Sequence, residues 1–224
     1  MNIVVHRGTH QIGGSAIEIS TASTCIMLDF GNELSLDEKY TPINLDIDGV
    51  TKGKPDCDGI VISHYHMDHL GQLTSTIPDV PLYMGELSKE IALIGAEYQD
   101  KDLYLRLLGA NTFRGGEAFS IGDIRIRPLV IDHSAIDSYM FVVEAGGKRI
   151  LYTGDFRMHG LRHHVLDKLV NTYIGEVDVL ITEGTSLSRD ADDCISEAAV
   201  LDDISSYIQD GKYVFVMCSS TNID

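Results

Sequence analysis

Four side chains of the kinds that bind metal ions lie within the six residues from 64 to 69. The apolar run Ile60–Ile62 leads into His64, His66, Asp68 and His69. Imidazole nitrogens suit zinc and similar divalent ions, and a carboxylate adds negative charge and a hard oxygen. His64 and His66 are two residues apart, so on an extended backbone their side chains point the same way. Such residues have no packing role at a strand end, and we interpret the segment as a metal-binding turn rather than a polar loop.

Two further candidate ligands lie downstream, each after a run rich in β-branched residues. His133 follows the run Ile124–Ile131, and Asp155 follows the run Ile150–Tyr152. Either residue alone would be read as an ordinary turn residue. The histidine-rich segment upstream makes a shared metal site the better interpretation of both.

Side chains so far apart in sequence can meet only if several strands end at one edge of the fold. Period-2 patterns and turn residues predict strands, and apolar residues at helical spacing predict two helices, the second capped by Asp192 or Asp193. Gly146-Gly147 predicts a hairpin turn between two of the strands. The order of elements indicates an α/β arrangement of packed layers. The predicted strands are Ile3–Val5, Ala16–Ile19, Cys25–Leu28, Ile60–Ile62, Ile124–Ile131, Tyr139–Glu144, Ile150–Tyr152, Val179–Ile181 and Tyr213–Met217, and the predicted helices are Glu86–Leu108 and Ile195–Ile208.

The full ligand pattern resembles the metallo-β-lactamase superfamily. The resemblance lies in His64-x-His66-x-Asp68-His69, then His133, then Thr153-Gly154-Asp155. It implies an αββα sandwich with two divalent metal ions at one edge of the sheets, zinc being expected and manganese the alternative. By the same resemblance, His64, His66 and His133 would hold one ion, Asp68 and His69 the other, and Asp155 would bridge them. Such a site supplies an ionised water as nucleophile, and we expect Asp68 to orient it and accept its proton as the catalytic residue.

Three finer motifs resemble the β-CASP branch of nucleases, and the ribonuclease J group in particular. They are His133-Ser134-x-x-Asp137-Ser138, the run Tyr152–Arg157, and Thr182-Glu183-Gly184-Thr185. We interpret Glu183 as a strand-end acid that orients a ligand histidine through a hydrogen bond, rather than as a metal ligand.

The last residues of the sequence resemble a motif of that branch that contacts nucleic-acid phosphate. Hydroxyl and amide groups suit phosphate positioning without reading base sequence. The candidate substrate-binding residues are Ser219, Ser220, Thr221 and Asn222.

The resemblance also predicts a division of the chain into two domains. Residues 1–184 would be the N-terminal part of the metallo-β-lactamase domain, and residues 185–224 the truncated beginning of an inserted β-CASP-like domain. In this branch the chain later returns to the first domain and supplies a last metal-binding histidine, for which this sequence offers no candidate. We therefore expect an incomplete αββα sandwich, belonging to a fragment, a truncated chain or a shortened relative.

Composition leaves several functions open. The 224 residues carry a formal net charge of −17, which opposes binding of polyanions at long range, although bound metal ions would invert the local field. Our first hypothesis is a ribonuclease, exo or endo, with RNA as substrate and DNA as the alternative. The others are a small-molecule thioesterase or lactonase of the same fold, and an inactive binding module. The sequence has no run of ~18 apolar residues, so no membrane span is predicted. No secretory signal is recognised at the N-terminus, and we expect a cytoplasmic protein. Whether it forms a homo-oligomer is left open.

Overall fold

The first of two β-sheets begins at the N-terminus and has six strands. A computed structural model describes residues 1–35, 41–187, 194–209 and 213–218. The strands lie in chain order across the sheet; the first three pair antiparallel and the last four pair parallel. They are β1 (Asn2–Arg7), β2 (Ala16–Ser20), β3 (Cys25–Leu28), β4 (Gly59–Val61), β5 (Leu82–Gly85) and β6 (Asn111–Phe113).

The second sheet has five strands, in the order β11-β10-β9-β8-β7. Only β10 and β11 pair parallel; the other neighbours are antiparallel. The predicted hairpin between β9 and β10 is confirmed, with φ of 56° at Gly146 and 72° at Gly147, a conformation that glycine adopts without strain. The strands are β7 (Phe119–Ile121), β8 (Ile124–Val130), β9 (Tyr139–Ala145), β10 (Lys148–Tyr152) and β11 (Val179–Ile181).

The two sheets face each other across an apolar core. Ile19 and Ile26 of the first sheet pack in one cluster with Phe141 and Ile150 of the second, and all four are fully buried. Burial of one such side chain contributes roughly 1.5–3 kcal/mol. The shared core therefore fixes the distance between the sheets and the position of their edges.

Helices cover the outer face of each sheet. On the first sheet, Leu103 and Leu107 pack with Met27 and Ile60. The outer face of the second sheet packs on α4 and the π-helical turn Leu169–Ile174 that follows it. The layers are thus helix, sheet, sheet, helix, which confirms the predicted αββα sandwich. The helices are α1 (Met67–Leu70), α2 (Glu86–Gln99), α3 (Lys101–Leu108), α4 (His164–Lys168) and α5 (Glu197–Gln209).

The prediction of a single helix over Glu86–Leu108 is wrong, because the helix is interrupted at Asp100. This residue is extended, with φ −150° and ψ 98°, and separates α2 from α3. Its Oδ1 accepts hydrogen bonds from the backbone N of Asp102 at 3.1 Å and of Leu103 at 3.0 Å. Asp100 is therefore the N-cap of α3. Apolar spacing continues through the break, so periodicity alone could not locate it.

Other predicted elements differ more simply. The helix predicted over Ile195–Ile208 is present as α5, and its proposed caps, Asp192 and Asp193, lie outside the described residues. The strand predicted over Tyr213–Met217 is wrong, since residues 213–218 are not in a strand and pair with no described strand. The strands β5, β6 and β7 were not predicted. Among the described residues, no helix is both long and apolar enough to cross a bilayer.

We expect Asp100→Ala to lower the free energy of unfolding by about 1 kcal/mol, because two N–H groups of α3 lose their acceptor. Urea unfolding followed by circular dichroism measures the change. Glu97→Ala, at an exposed position on α2, is the control and should stay within about 0.5 kcal/mol of the unmodified protein. Equal losses in the two variants would contradict the capping role.

Candidate metal centre

The candidate ligands lie where strands of both sheets end. β4 ends at Val61, and the chain continues through His64 and His66 into α1, which carries Asp68 and His69. His133 follows β8, and Asp155 follows β10. The structure therefore brings together at one edge residues that lie up to 91 positions apart, the separation of 64 and 155.

Three imidazole nitrogens converge on one another. Nε2 of His64 lies 3.1 Å from Nδ1 of His66, and Nε2 of His133 lies 3.2 Å from the same Nδ1. One ring nitrogen has a single N–H or a single lone pair, so hydrogen bonding explains only one of the two approaches. Zn–N bonds of 2.0–2.1 Å in a tetrahedral site place ligand nitrogens about 3.3 Å apart. The donor set and its spacing therefore fit a divalent ion bound by these three rings.

A second donor group adjoins the first. Nε2 of His69 lies 3.3 Å from Oδ1 of Asp155 and 3.6 Å from Oδ2 of Asp68. The other Asp155 oxygen, Oδ2, lies 3.9 Å from Nε2 of His133. One carboxylate thus faces both donor groups, which is the arrangement expected of a residue that bridges two ions.

The sequence analysis missed Asp29, whose fully buried carboxylate orients His69. Asp29 Oδ2 accepts hydrogen bonds from Nδ1 of His69 at 2.7 Å, from Oγ of Ser63 at 2.8 Å and from the hydroxyl of Tyr152 at 2.5 Å. Its Oδ1 accepts from the backbone N of Ser63 at 2.7 Å. Asp29 thereby engages Nδ1 and turns Nε2 towards Asp155 and Asp68, where it would give up its proton on binding a metal ion. The signal in the sequence was a lone aspartate directly after β3.

Burial and neighbouring charges set the protonation of the ligands. Burial lowers the pKa of His64 well below its ordinary value, and it lowers the pKa of His133 to about 4, although the nearby Asp155 opposes that shift. These rings are therefore neutral at pH 7, as metal binding requires. Burial also acts to lower the pKa of His69, but Asp29 and Asp155 outweigh it and raise that pKa well above the usual value. Burial raises the pKa of Asp68.

Close backbone packing holds the turn that carries Asp68. The carbonyl oxygen of Asp68 accepts from the backbone N of Gly14 at 3.1 Å and of Ser15 at 3.2 Å. A Cβ atom placed on Gly31 would lie 1.7 Å from that same carbonyl oxygen. Only glycine therefore fits at position 31. This constraint could not be predicted from local patterns, because the contact joins residues 31 and 68, which are 37 positions apart.

Glu183 makes a different hydrogen bond from the one predicted. Its Oε1 accepts a hydrogen bond from the backbone N of Phe156 at 2.8 Å. The carboxylate therefore holds the chain next to Asp155 rather than a ligand histidine ring. The other predicted contacts, from Ser219, Ser220, Thr221 and Asn222, lie outside the described residues.

An ion-pair network joins the ligand-bearing loops to α5. Nε of Arg157 lies 2.9 Å from Oδ1 of the buried Asp132, which directly precedes His133. Nη1 of the same arginine lies 2.6 Å from Oε1 of Glu197, the first residue of α5. The chain segments that carry His133 and Asp155 are thus linked to each other and to α5.

The fold and its edge of histidines and aspartates match a known family. Residues 44–201 match a model of the family described as the beta-lactamase superfamily domain. The match covers more than half of the chain, and the protein belongs to this superfamily.

Two curated relatives with similar sequences carry ribonuclease J or RNase J-like names, and a third is named as a cleavage and polyadenylation factor. The chain is 28% identical to a ribonuclease J of Helicobacter pylori over 67% of this chain and 22% of that protein. It is 28% identical to an RNase J-like protein of Methanocaldococcus jannaschii over 94% of this chain and 49% of that protein. It is 30% identical to cleavage and polyadenylation specificity factor 73 of Drosophila melanogaster over 72% of this chain and 26% of that protein. The chain thus spans between about a fifth and a half of these relatives.

A solved structure shares the fold. A protein of unknown function from Enterococcus faecalis superposes with a TM-score of 0.77 at 21% identity. The superposition covers 92% of this chain and 57% of that chain.

We expect His64→Ala to abolish tight zinc binding, because it removes one of the three converging nitrogens. Competition titration against a zinc-binding dye and elemental analysis of the purified protein measure the loss. His6→Ala is the control, since His6 pairs with Glu18 between β1 and β2. We name His64, His66 and His133 the three-ring group. If His64→Ala binds zinc as tightly as the unmodified protein does, the three-ring group is not the binding site.

We expect Asp29→Asn to weaken zinc binding by roughly 10- to 100-fold, because the amide cannot accept all of the hydrogen bonds that orient His69. The same dye titration measures the change. Asp58→Asn is the control; its carboxylate accepts from the backbone N of Cys25 at the opposite end of β3, at 2.9 Å. If both variants bind zinc as the unmodified protein does, Asp29 has no orienting role.

Proposed function

We propose that the protein is a metal-dependent ribonuclease that hydrolyses phosphodiester bonds of RNA with an activated water. The observation that carries the proposal is the position of Asp155, whose two oxygens face His69 at 3.3 Å and His133 at 3.9 Å. One carboxylate that faces both donor groups suits a pair of divalent ions, zinc being expected and manganese the alternative. RNA is favoured as substrate because the relatives named above are ribonucleases and a cleavage factor.

Different residues of the site would bind the two metal ions. His64, His66 and His133 would hold one ion, Asp68 and His69 the other, and Asp155 would contact both. When bound, such ions ionise a water near neutral pH and neutralise negative charge on the reacting phosphate. Asp29 fixes the ring of His69, as its hydrogen bond of 2.7 Å shows.

Asp68 is the residue we assign to proton transfer. Its side chain is 14% exposed and lies beside His69, so it can reach both the donor group and a water that enters from the edge. The water oxygen attacks phosphorus, the phosphorus–oxygen bond to the leaving nucleotide breaks, and Asp68 accepts the proton of the water. The leaving oxygen takes a proton from solvent.

A second candidate function is hydrolysis of a small molecule, such as a thioester or lactone. The observation in its favour is the net charge of −17, which repels a polyanion more than a small substrate. The motifs around His133 and Asp155 favour RNA instead. The two functions are separated by direct assay.

We expect the purified protein with added Zn²⁺ or Mn²⁺ to cleave single-stranded RNA, and Asp68→Asn to lower the rate by at least about 100-fold, as loss of a general base does. The measurement is the rate of cleavage of an end-labelled RNA. Asp178→Asn is the control, because Asp178 pairs with Lys148 at 2.7 Å on the second sheet.

Three results would count against this proposal. Intact RNA together with cleavage of a thioester or lactone would establish the second function. Intact RNA and no hydrolysis of any of these substrates by the zinc-loaded protein would indicate an inactive binding module. Cleavage of RNA by Asp68→Asn at the unmodified rate would remove Asp68 from the mechanism.

A further inference from the structure

The three-ring group is assembled from two sheets, and its geometry depends on how they are joined. His64 and His66 follow β4 of the first sheet, whereas His133 follows β8 of the second. We name the segment 133–138 the His133 loop. The contacts that attach this loop to the first sheet and its helices therefore help to set the distance of 3.2 Å between His133 Nε2 and His66 Nδ1.

Asp137 contributes to that attachment through one carboxylate oxygen, while the other holds the side chain to the second sheet. Its Oδ2 accepts a hydrogen bond from the backbone N of Ser88, in the first turn of α2, at 2.8 Å. Its Oδ1 accepts a hydrogen bond from the hydroxyl of Tyr139 in β9. The first-turn N–H groups of a helix need acceptors, and Gly85, the N-cap of α2, has no side chain to provide one. Asp137 supplies the acceptor from 49 residues away.

The local conformation is built for this contact. Asp137 has φ 64°, in the left-handed region that aspartate and asparagine adopt more readily than other side chains. A Cβ atom on Gly85 would lie 2.4 Å from Oδ2 of Asp137, so the glycine leaves the space that the carboxylate fills. Position 85 and position 137 therefore fit each other sterically.

The rest of the His133 loop is firmly held, which lets Asp137 act on the histidine. The hydroxyl of Ser138 donates to the carbonyl oxygen of Ala135 at 2.6 Å, which closes the loop on itself. The backbone N of Ile136 donates to the hydroxyl of Tyr65 at 3.2 Å. Asp137 and His133 therefore belong to one closed loop, which the contacts of Asp137 and Ile136 together hold against the first sheet and its helices.

We propose that Asp137 is the positioning residue for His133, because its carboxylate attaches the His133 loop to the start of α2 and so holds the ring beside His66. The inference rests on the proposed metal centre, in which His133 is a ligand. Asp137 itself touches neither the metal nor the substrate.

The test is zinc affinity and the visible spectrum of the Co²⁺-loaded protein, which reports the ligands around the ion. Asp137→Gly keeps the left-handed backbone accessible but removes both hydrogen bonds, and we expect affinity to fall about 10- to 100-fold with a changed spectrum. Asp100→Ala is the matched control, since it removes a helix-capping carboxylate of α3, and it should leave affinity and spectrum unchanged. Wild-type affinity and spectrum in Asp137→Gly would overturn the proposal.

A double-mutant cycle separates positioning from a general loss of stability. If Asp137 acts through His133, then Asp137→Gly should cause little further loss of zinc affinity once His133→Ala is present. Losses that multiply independently would overturn the proposal. If Asp137→Gly does not fold, Ser88→Pro takes its place in both measurements; proline is tolerated in the first turn of a helix and removes the N–H that Asp137 accepts from.

The same titration distinguishes this inference from the proposed function. An unmodified protein that binds neither Zn²⁺ nor Co²⁺ would overturn both the metal-dependent function and the role of Asp137. An unmodified protein that binds zinc, alongside an Asp137→Gly variant that binds it equally, would overturn only the positioning role.

Discussion

Burial of the Asp29 carboxylate is the constraint on which the metal-binding edge depends. A carboxylate removed from water costs several kcal/mol unless donors surround it, and Asp29 is fully buried. Its donors are Ser63 after β4, His69 in α1 and Tyr152 in β10, so both sheets must keep their places for the carboxylate to stay satisfied. Asp29 also has φ 58°, a conformation that persists where the surroundings fix it. The positions of the strand ends that let Asp29 accept all of its hydrogen bonds also bring the candidate ligands together.

The two halves of the ligand set are held by different means. On the side of the first sheet, His64 and His69 are fully buried, and Ser63 Oγ lies 3.0 Å from Nδ1 of His64, so short local contacts fix the rings. On the side of the second sheet, contacts between residues farther apart along the chain hold the segments that carry His133 and Asp155, such as the ion pair between Arg157 and Asp132 at 2.9 Å. Glu197 of α5 contacts Arg157. A substitution in α5 that breaks this ion pair would therefore affect the positions of His133 and Asp155 more than those of His64 and His69.

Local patterns in the sequence predicted packed α/β layers and pointed to the six candidate ligands, whereas the αββα order and the division of the ligands between two ions came from the family resemblance. Four of the ligands lie within one short segment, and the strands beside them show clear β-rich runs. Asp29 escaped prediction because a lone aspartate after a strand is a common turn residue, and its partner Tyr152 is 123 residues away. The break at Asp100 escaped because apolar spacing continues across it. The strand predicted over Tyr213–Met217 failed because a strand needs a neighbour to pair with, and composition does not reveal one.

The acidity of the chain and a polyanionic substrate are compatible only if the site changes its local charge. Exposed charges more than about 8–10 Å apart are largely screened at physiological salt, so the groups at the edge itself decide whether phosphate can approach. Burial lowers the pKa of His64, His66 and His133, so these rings bring no positive charge. The pKa of His69 is raised, and the positive charge of that ring is balanced by the neighbouring Asp29 and Asp155. A protein that binds nucleic acid through lysine and arginine holds phosphate without a cofactor. For the proposed RNA substrate, bound divalent ions would supply the positive field at this edge, and binding of a nucleotide chain would then be linked to binding of metal.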